Sequence, residues 1–166
     1  AWLNYAVFTQ GGLPIDLNSA FTYLELGCGY AQSILKFSQQ HTLGRFYACD
    51  FNPQHIRVAK EQHAQLALNN LQLINCVFAD LDLAALPQFD FIVLHGVFSW
   101  VSAEQQALLL KIIQQKLKTG GYLYLSYNCL PGWNNQIPLR KLLIELAKSA
   151  PGNSRNKAQQ ANHTNK

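Results

Sequence analysis

An apolar run ending in an acid and two glycines, Tyr23-Leu24-Glu25-Leu26-Gly27-Cys28-Gly29, leaves few folds open to this chain. A helix-like stretch, Tyr30 to His41, comes next, and a second apolar run, Arg45-Phe46-Tyr47-Ala48-Cys49, stops at Asp50. This is the outline of a β-α-β nucleotide site. The glycines let the backbone turn sharply and approach a ligand that a Cβ would exclude. The start of the helix supplies free N–H groups and a positive dipole end. An acid at the end of the second strand can accept hydrogen bonds from both ribose hydroxyls.

The same alternation continues along the chain. Trp2 to Gln10 reads as a short helix closed by Gly11-Gly12. Phe21–Gly27 is the first strand, and the helix over 30–41 turns Ile34, Leu35 and Phe37 inward. Arg45–Asp50 is the second strand. Asn52-Pro53 reads as an N-cap with proline at the first helical position, opening a helix that runs to about Leu68 and breaks at Asn69-Asn70. Leu71–Phe78 is the third strand, ending at Ala79-Asp80, and a loop with Pro87 follows. Phe89–His95 has the run of apolar residues expected of a parallel strand buried on both faces. Ser102-Ala103-Glu104-Gln105 resembles a capping box. It opens a helix to about Lys118, with Leu108, Ile112 and Leu117 on one stripe, closed at Gly120. Tyr122–Tyr127 is the fifth strand and Leu139–Ala150 a last amphipathic helix. The expected fold is α/β: a doubly wound, Rossmann-like parallel sheet in the order 3-2-1-4-5 with helices on both faces. One domain is expected over 1–150. Residues 151–166 have no apolar face and are expected to be a disordered or truncated tail.

Which nucleotide such a site takes depends on the turn. The dinucleotide pattern Gly-x-Gly-x-x-Gly fails at Gln32, and no P-loop is present. The remaining acid-x-Gly-x-Gly resembles the first motif of class I S-adenosylmethionine-dependent methyltransferases, with Ala31 where that family often has a third small residue further on. Leu117-Lys118-Thr119-Gly120-Gly121-Tyr122 looks like the Leu-Lys-Pro-Gly-Gly turn that enters strand five there, with Thr for Pro. Two segments are more specific: Phe89 to Val101, with His-Gly-Val-Phe-Ser-Trp, and Ser126-Tyr127-Asn128-Cys129-Leu130-Pro131-Gly132-Trp133. Both are similar to bacterial class I methyltransferases that carry an additional methyltransferase regulatory domain, some of which methylate protein lysines. The resemblance covers roughly residues 2–150. It implies a regulatory domain and two further strands that are not found in this sequence. The chain, which contains no Met, is therefore expected to be a fragment whose partner is its own missing C-terminal regulatory domain.

The resemblance also implies roles. Glu25 and the turn Gly27, Cys28 and Gly29 would hold the methionine part of S-adenosylmethionine. Asp50 would hold its ribose and Asp80 its adenine amino group, with Phe51 and Leu81, the residues after those acids, also on the cofactor. In doubly wound sheets the ligand lies beyond the strand ends at the switch point, here between strands one and four, which brings His95 and Gly96 to the sulfonium. His95 and Tyr127 are the candidate catalytic groups; a neutral histidine can take a proton from an amine or hydroxyl. Trp100, Asn128 and Trp133 are the candidate substrate contacts, aromatic faces being suited to a cationic amine. Each has a plainer alternative. Glu25 or Asp50 would cap the next helix, Asp80 would be a turn residue, His95 a hydrogen-bonded core residue, and the tryptophans core under the last helix.

Bulk properties fit this reading. A chain of 166 residues with 49% apolar and 13% charged residues suits one globular domain. No apolar run is long enough for a membrane span, and no signal peptide is evident at the N-terminus. Cys28, Cys49, Cys76 and Cys129 form no Cys-x-x-Cys, so reduced thiols in a cytoplasmic protein are expected, without a metal site. The net charge of +4 comes from the C-terminal segment: residues 1–130 hold 7 basic and 8 acidic side chains, residues 131–166 hold 6 and 1. A solvated helix face explains that better than nucleic acid. The expected function is methyl transfer from S-adenosylmethionine, leaving S-adenosylhomocysteine, to an acceptor not readable here, with protein lysine or another amine as candidates. A catalytically silent module of the same fold is the alternative. A nicotinamide-dependent reductase is disfavoured by Gln32 and by the missing Tyr-x-x-x-Lys pair.

Overall fold

A computed structural model describes residues 2–81 and 83–148, which alternate helix and strand as expected. They fall into two units, divided between Tyr127 and Asn128, inside the stretch expected to be one domain. In the first unit α1 (Trp2–Thr9) precedes β1 (Phe21–Leu26), α2 (Gln32–Gln40), β2 (Gly44–Asp50), α3 (Pro53–Gln65) and β3 (Leu71–Asn75). Then come a 3-10 turn (Phe78–Asp80), β4 (Phe89–Leu94), a second 3-10 turn (Phe98–Trp100), α4 (Ala103–Lys116) and β5 (Leu117–Leu125). All five strands are parallel, in the order β3-β2-β1-β4-β5. The pairing sets Leu73, Ala48, Glu25, Val93 and Tyr124 in one row across the sheet.

Both faces are covered, which is why the central strands are apolar at nearly every position. On one face Tyr23, Phe46, Ala48, Phe91 and Val93 pack with Ile34 and Leu35 of α2 and Ile56 and Ala59 of α3. Phe21, Tyr23, Phe37, Phe46 and Phe91 form an aromatic cluster there, with ring centroids 5.4 to 6.3 Å apart. On the other face Leu24, Leu26, Cys49, Ile92 and Leu94 meet Leu109, Ile112 and Ile113 of α4. The expected caps are present. Asn52 accepts from the Gln54 N–H at 3.0 Å with Pro53 at the helix start, and Ser102 accepts from the Gln105 N–H at 3.4 Å. The Asn70 amide donates to the carbonyls of Ser38, His41 and Gly44, tying the end of α2 to the start of β2.

Several boundaries differ from the sequence reading. α2 starts at Gln32, because Gly29 and Ala31 both lie at φ 56 and cannot continue a right-handed helix. α3 stops at Gln65, with Ala67 at φ 50 turning the chain away. β3 ends at Asn75, so Asp80 sits in a 3-10 turn and not at a strand end. β5 starts at Leu117, directly after α4. Leu117 pairs with Phe89 and Tyr122 with Phe91, so the residues between form an irregularity inside the strand, where Gly120 takes φ 78. The buried stripe of α4 is accordingly Leu109, Ile112 and Ile113.

The second unit, described from Asn128 to Lys148, holds a 3-10 turn (Asn134–Gln136) and α5 (Ile137–Lys148). The expected tail at 151–166 lies outside the described residues. Among those described, no helix is long and apolar enough to cross a membrane.

Candidate active site

The turn after β1 is pinned across the sheet. The N–H groups of Gly27 and Cys28 both donate to the Cys49 carbonyl of β2, at 2.9 and 3.0 Å. Gly27 takes φ 77, and a Cβ there would stand 2.5 Å from Cγ2 of Val97, beyond β4. Gly29, also at positive φ, would meet nothing within 4 Å, so its side of the turn is open.

Glu25 lies beside this turn, in the centre of the sheet. It is 7% exposed, and its Oε2 has no hydrogen-bond partner. Burial pushes its carboxyl up from 4.5 to about 7. Burial, reinforced by the charges of Glu25 and Asp50, pushes the Cys28 thiol up to about 12. Glu25 caps nothing in this arrangement: α2 has no side-chain cap. A buried, unpartnered acceptor next to an open glycine turn fits a ligand that brings a positive charge.

Asp50 ends β2 and is 5% exposed. Its Oδ2 accepts from the Gly29 N–H at 2.9 Å, and its Oδ1 accepts from the Asn52 N–H at 2.9 Å and lies 3.2 Å from Nδ1 of His55. The cap of α3 is Asn52, so the helix-cap reading of Asp50 does not hold. Phe51 beside it is 70% exposed. Asp80 is exposed on its 3-10 turn, whereas Leu81 is buried in the core on the α4 side.

His95 follows β4 and is exposed, so it is not a core residue. Its Nδ1 lies 3.4 Å from Tyr124 Oη and 3.4 Å from Ser126 Oγ, and its ring is nearly parallel to that of Tyr124. Ser126 Oγ accepts from the Gly96 N–H at 2.8 Å. Trp100 (57% exposed) and Tyr127 (63%) are on the surface, so Trp100 is not core. Asn128, exposed, and Trp133, half-buried, belong to the second unit; the Trp133 N–H donates to the Cys129 carbonyl. Tyr124, Ser126 and His55 were missed from sequence. The period of two from Tyr122 would place Tyr124 and Ser126 on one face, but only the β4–β5 register brings them to His95. No group of three His, Cys, Asp or Glu side chains able to hold a metal occurs among the described residues.

Residues 17–165 match the family model of a methyltransferase domain. The uncharacterized protein sll1526 of Synechocystis sp. is 36% identical over 135 residues, 81% of this chain and 27% of that protein. RP028 of Rickettsia prowazekii is 33% identical over 121 residues, 73% of this chain and 48% of that protein. The solved structure of PKMT2 from Rickettsia typhi in complex with AdoHcy is similar with a TM-score of 0.73 and 32% identity, covering 93% of this chain and 29% of that one. The chain thus spans between about a quarter and about half the length of these relatives. With the sheet order, the glycine turn and the match over most of its length agreeing, the chain belongs to the methyltransferase domain family, with the class I fold.

Proposed function

We propose that this domain binds S-adenosylmethionine beyond the C-terminal ends of β1, β2 and β4 and directs its methyl group to an amine, with a protein lysine side chain as the leading candidate. The observation that carries the reading is the buried Glu25 carboxylate, unpartnered at Oε2 beside the Gly27–Gly29 turn. The cofactor, when bound, supplies an activated methyl on a cationic sulfur and leaves as S-adenosylhomocysteine.

The chain's own residues would divide the work as follows. Glu25 and the turn at Gly27, Cys28 and Gly29 hold the positively charged methionine end. Asp50 holds the ribose, Asp80 the adenine amino group, and the exposed Phe51 covers the base. His95 would take the proton of the acceptor amine, and Tyr124 and Ser126, each 3.4 Å from Nδ1, would orient its ring. Tyr127 and Trp100 are the candidate acceptor contacts of the first unit. Two things support an amine acceptor: similarity to a protein named PKMT2, and the resemblance of the segments around His95 and Tyr127 to a group with lysine methyltransferases. That resemblance, with the greater length of the relatives, also supports a C-terminal regulatory domain in the whole protein. Reduced cysteines, all four free, agree with a cytoplasmic setting.

The test uses the full-length protein with methyl-labelled cofactor and lysate proteins or lysine peptides. Label recovered as methyl-lysine after acid hydrolysis supports the reading. Label lost to mild base, as from an ester, or found in nucleic acid, refutes the amine assignment.

A further inference from the structure

Two thiols meet at the C-terminal ends of β2 and β3, and nothing in the site described above uses them. The strands run in register, Cys49 opposite Ile74 and Asp50 opposite Asn75. Side chains alternate along a strand, so Cys76, two residues past Ile74, projects to the same face as Cys49. That is the α4 side, where Cys49 lies buried in the core and the half-buried Cys76 packs against it. The Cys49 thiol donates a hydrogen bond to the Cys76 sulfur. This bond favours the thiolate and draws the Cys76 thiol down from 9.0 to about 7, against its burial and the charge of Asp80. The pair thus divides into a half-buried nucleophile and a buried partner within its reach. Cys76 is also tied to the cofactor end of the sheet. Its N–H donates to the Asp50 carbonyl at 3.2 Å, and the 3-10 turn carrying Asp80 begins two residues on.

We propose that Cys49 and Cys76 are a redox pair that hydrogen peroxide oxidises to a disulfide across β2 and β3, and that the disulfide weakens cofactor binding. The Cys76 thiolate attacks one peroxide oxygen; the O–O bond breaks, hydroxide leaves and Cys76 becomes a sulfenic acid. The Cys49 sulfur then attacks the Cys76 sulfur, the S–S bond forms, and the sulfenic oxygen leaves as water with the Cys49 proton. The two thiols give up two electrons and two protons, and the peroxide ends as two waters. Diagonal neighbours in a parallel ladder stand about 8 Å apart at Cα, from a strand spacing of about 4.8 Å and a rise of about 3.3 Å per residue. A disulfide spans about 7 Å at most. Closure therefore draws Cys76 toward β2, and because the ladder ends at Asn75 the displacement passes into the turn that carries Asp80. Asp80 is the residue assigned to the adenine, so the effect on binding rests on the cofactor reading above.

The test uses the full-length protein, reduced and then treated with hydrogen peroxide, which catalase removes before titration. Wild type is compared with Cys49→Ser and Cys76→Ser, and each is also melted thermally. Trypsin, cutting after Lys36, Arg45, Arg57, Lys60 and Lys118, places the four cysteines on four peptides, so mass spectrometry reads which two are joined. In oxidised wild type the Cys49 and Cys76 peptides should be recovered joined, and dithiothreitol should separate them. Cys49→Ser keeps a donor toward Cys76 but cannot form the bond, so Cys76 should stop at the sulfenic acid, which dimedone traps. Cys76→Ser should give neither product. Oxidised wild type should bind S-adenosylhomocysteine about tenfold more weakly than reduced, and recover with dithiothreitol. Cys76→Ser should bind equally before and after peroxide. No joined Cys49 and Cys76 peptides, or a Cys49–Cys76 disulfide that leaves the affinity unchanged, would overturn the proposal. So would an equal loss of affinity in Cys76→Ser, or an oxidised wild type that has unfolded. If reduced wild type fails to bind S-adenosylhomocysteine, the cofactor reading falls and the effect on binding with it, while the peptides still decide the thiol pair.

Discussion

Replacing Glu25 with Gln isolates the energetic consequence of burying a carboxylate with an unpartnered oxygen in the middle of the sheet. Burial raises its carboxyl from 4.5 to about 7, so the folded protein holds a proton that the unfolded chain has released across that interval. The folded state binds more protons there, and stability therefore falls as pH rises from 4.5 through 7. The shift corresponds to about 3 kcal/mol, fully felt by pH 8 and absent below pH 4.5. Glutamine keeps the size and cannot ionise. Its amide adds a constant term of its own, which cancels when the same variant is compared at two pH values. Urea unfolding of wild type and Glu25→Gln, without cofactor, at pH 4.5 and pH 8 should show the variant gaining about 3 kcal/mol relative to wild type at the higher pH. Every other titrating group is common to both proteins. An equal difference at the two pH values would refute the claim that Glu25 is a buried charge awaiting a cation.

Other substitutions test the scaffold and the acceptor side. Gly27→Ala should destabilise by about 2–3 kcal/mol in denaturant melts, from positive φ plus the contact with Val97; measured against Val97→Ala, where the clash is gone, the same substitution should cost only about 1 kcal/mol. Asn70→Ala should cost about 2 kcal/mol by leaving three carbonyls without their shared donor, and Asn70→Asp should do no better, since it sets a carboxylate against them. His95→Ala in the full-length protein should lower methyl transfer about a hundredfold while S-adenosylhomocysteine affinity, read by calorimetry, stays within about twofold. A matching loss of affinity would move His95 from the acceptor to the cofactor.

Much of this was legible in the sequence because the signals are local. Asn52-Pro53 and Ser102 mark helix starts by hydrogen bonds within three residues, and the apolar runs of β1, β2 and β4 end within one residue of where the sequence places them. Glu25 and Asp50 are legible because each stands at or next to the last residue of a strand. What escaped was set by pairing or by residues that give no signal. Ala31 and Ala67 sit in left-handed conformations that alanine does not announce. The start of β5 is hidden because α4 runs into it without a loop, so Leu117 continues a helical stripe in sequence while pairing with Phe89 in space. Asp80 reads in sequence as a strand end because Cys76 and Val77 are as apolar as the strand before them, although the ladder stops at Asn75. Tyr124 and Ser126 come to His95 only through the β4–β5 pairing, and the contact of His55 with Asp50 needed the exact direction in which α3 leaves β2.

The central claim is that Glu25 and the adjoining glycine turn hold a cationic adenosyl cofactor. Calorimetric titration of wild type and Glu25→Gln with S-adenosylmethionine, at pH 8, tests it most directly. One molecule should bind per wild-type chain, and at least about tenfold more weakly to Glu25→Gln, whose fold the urea melts verify. No binding by wild type, or equal affinity in the two proteins, would contradict it.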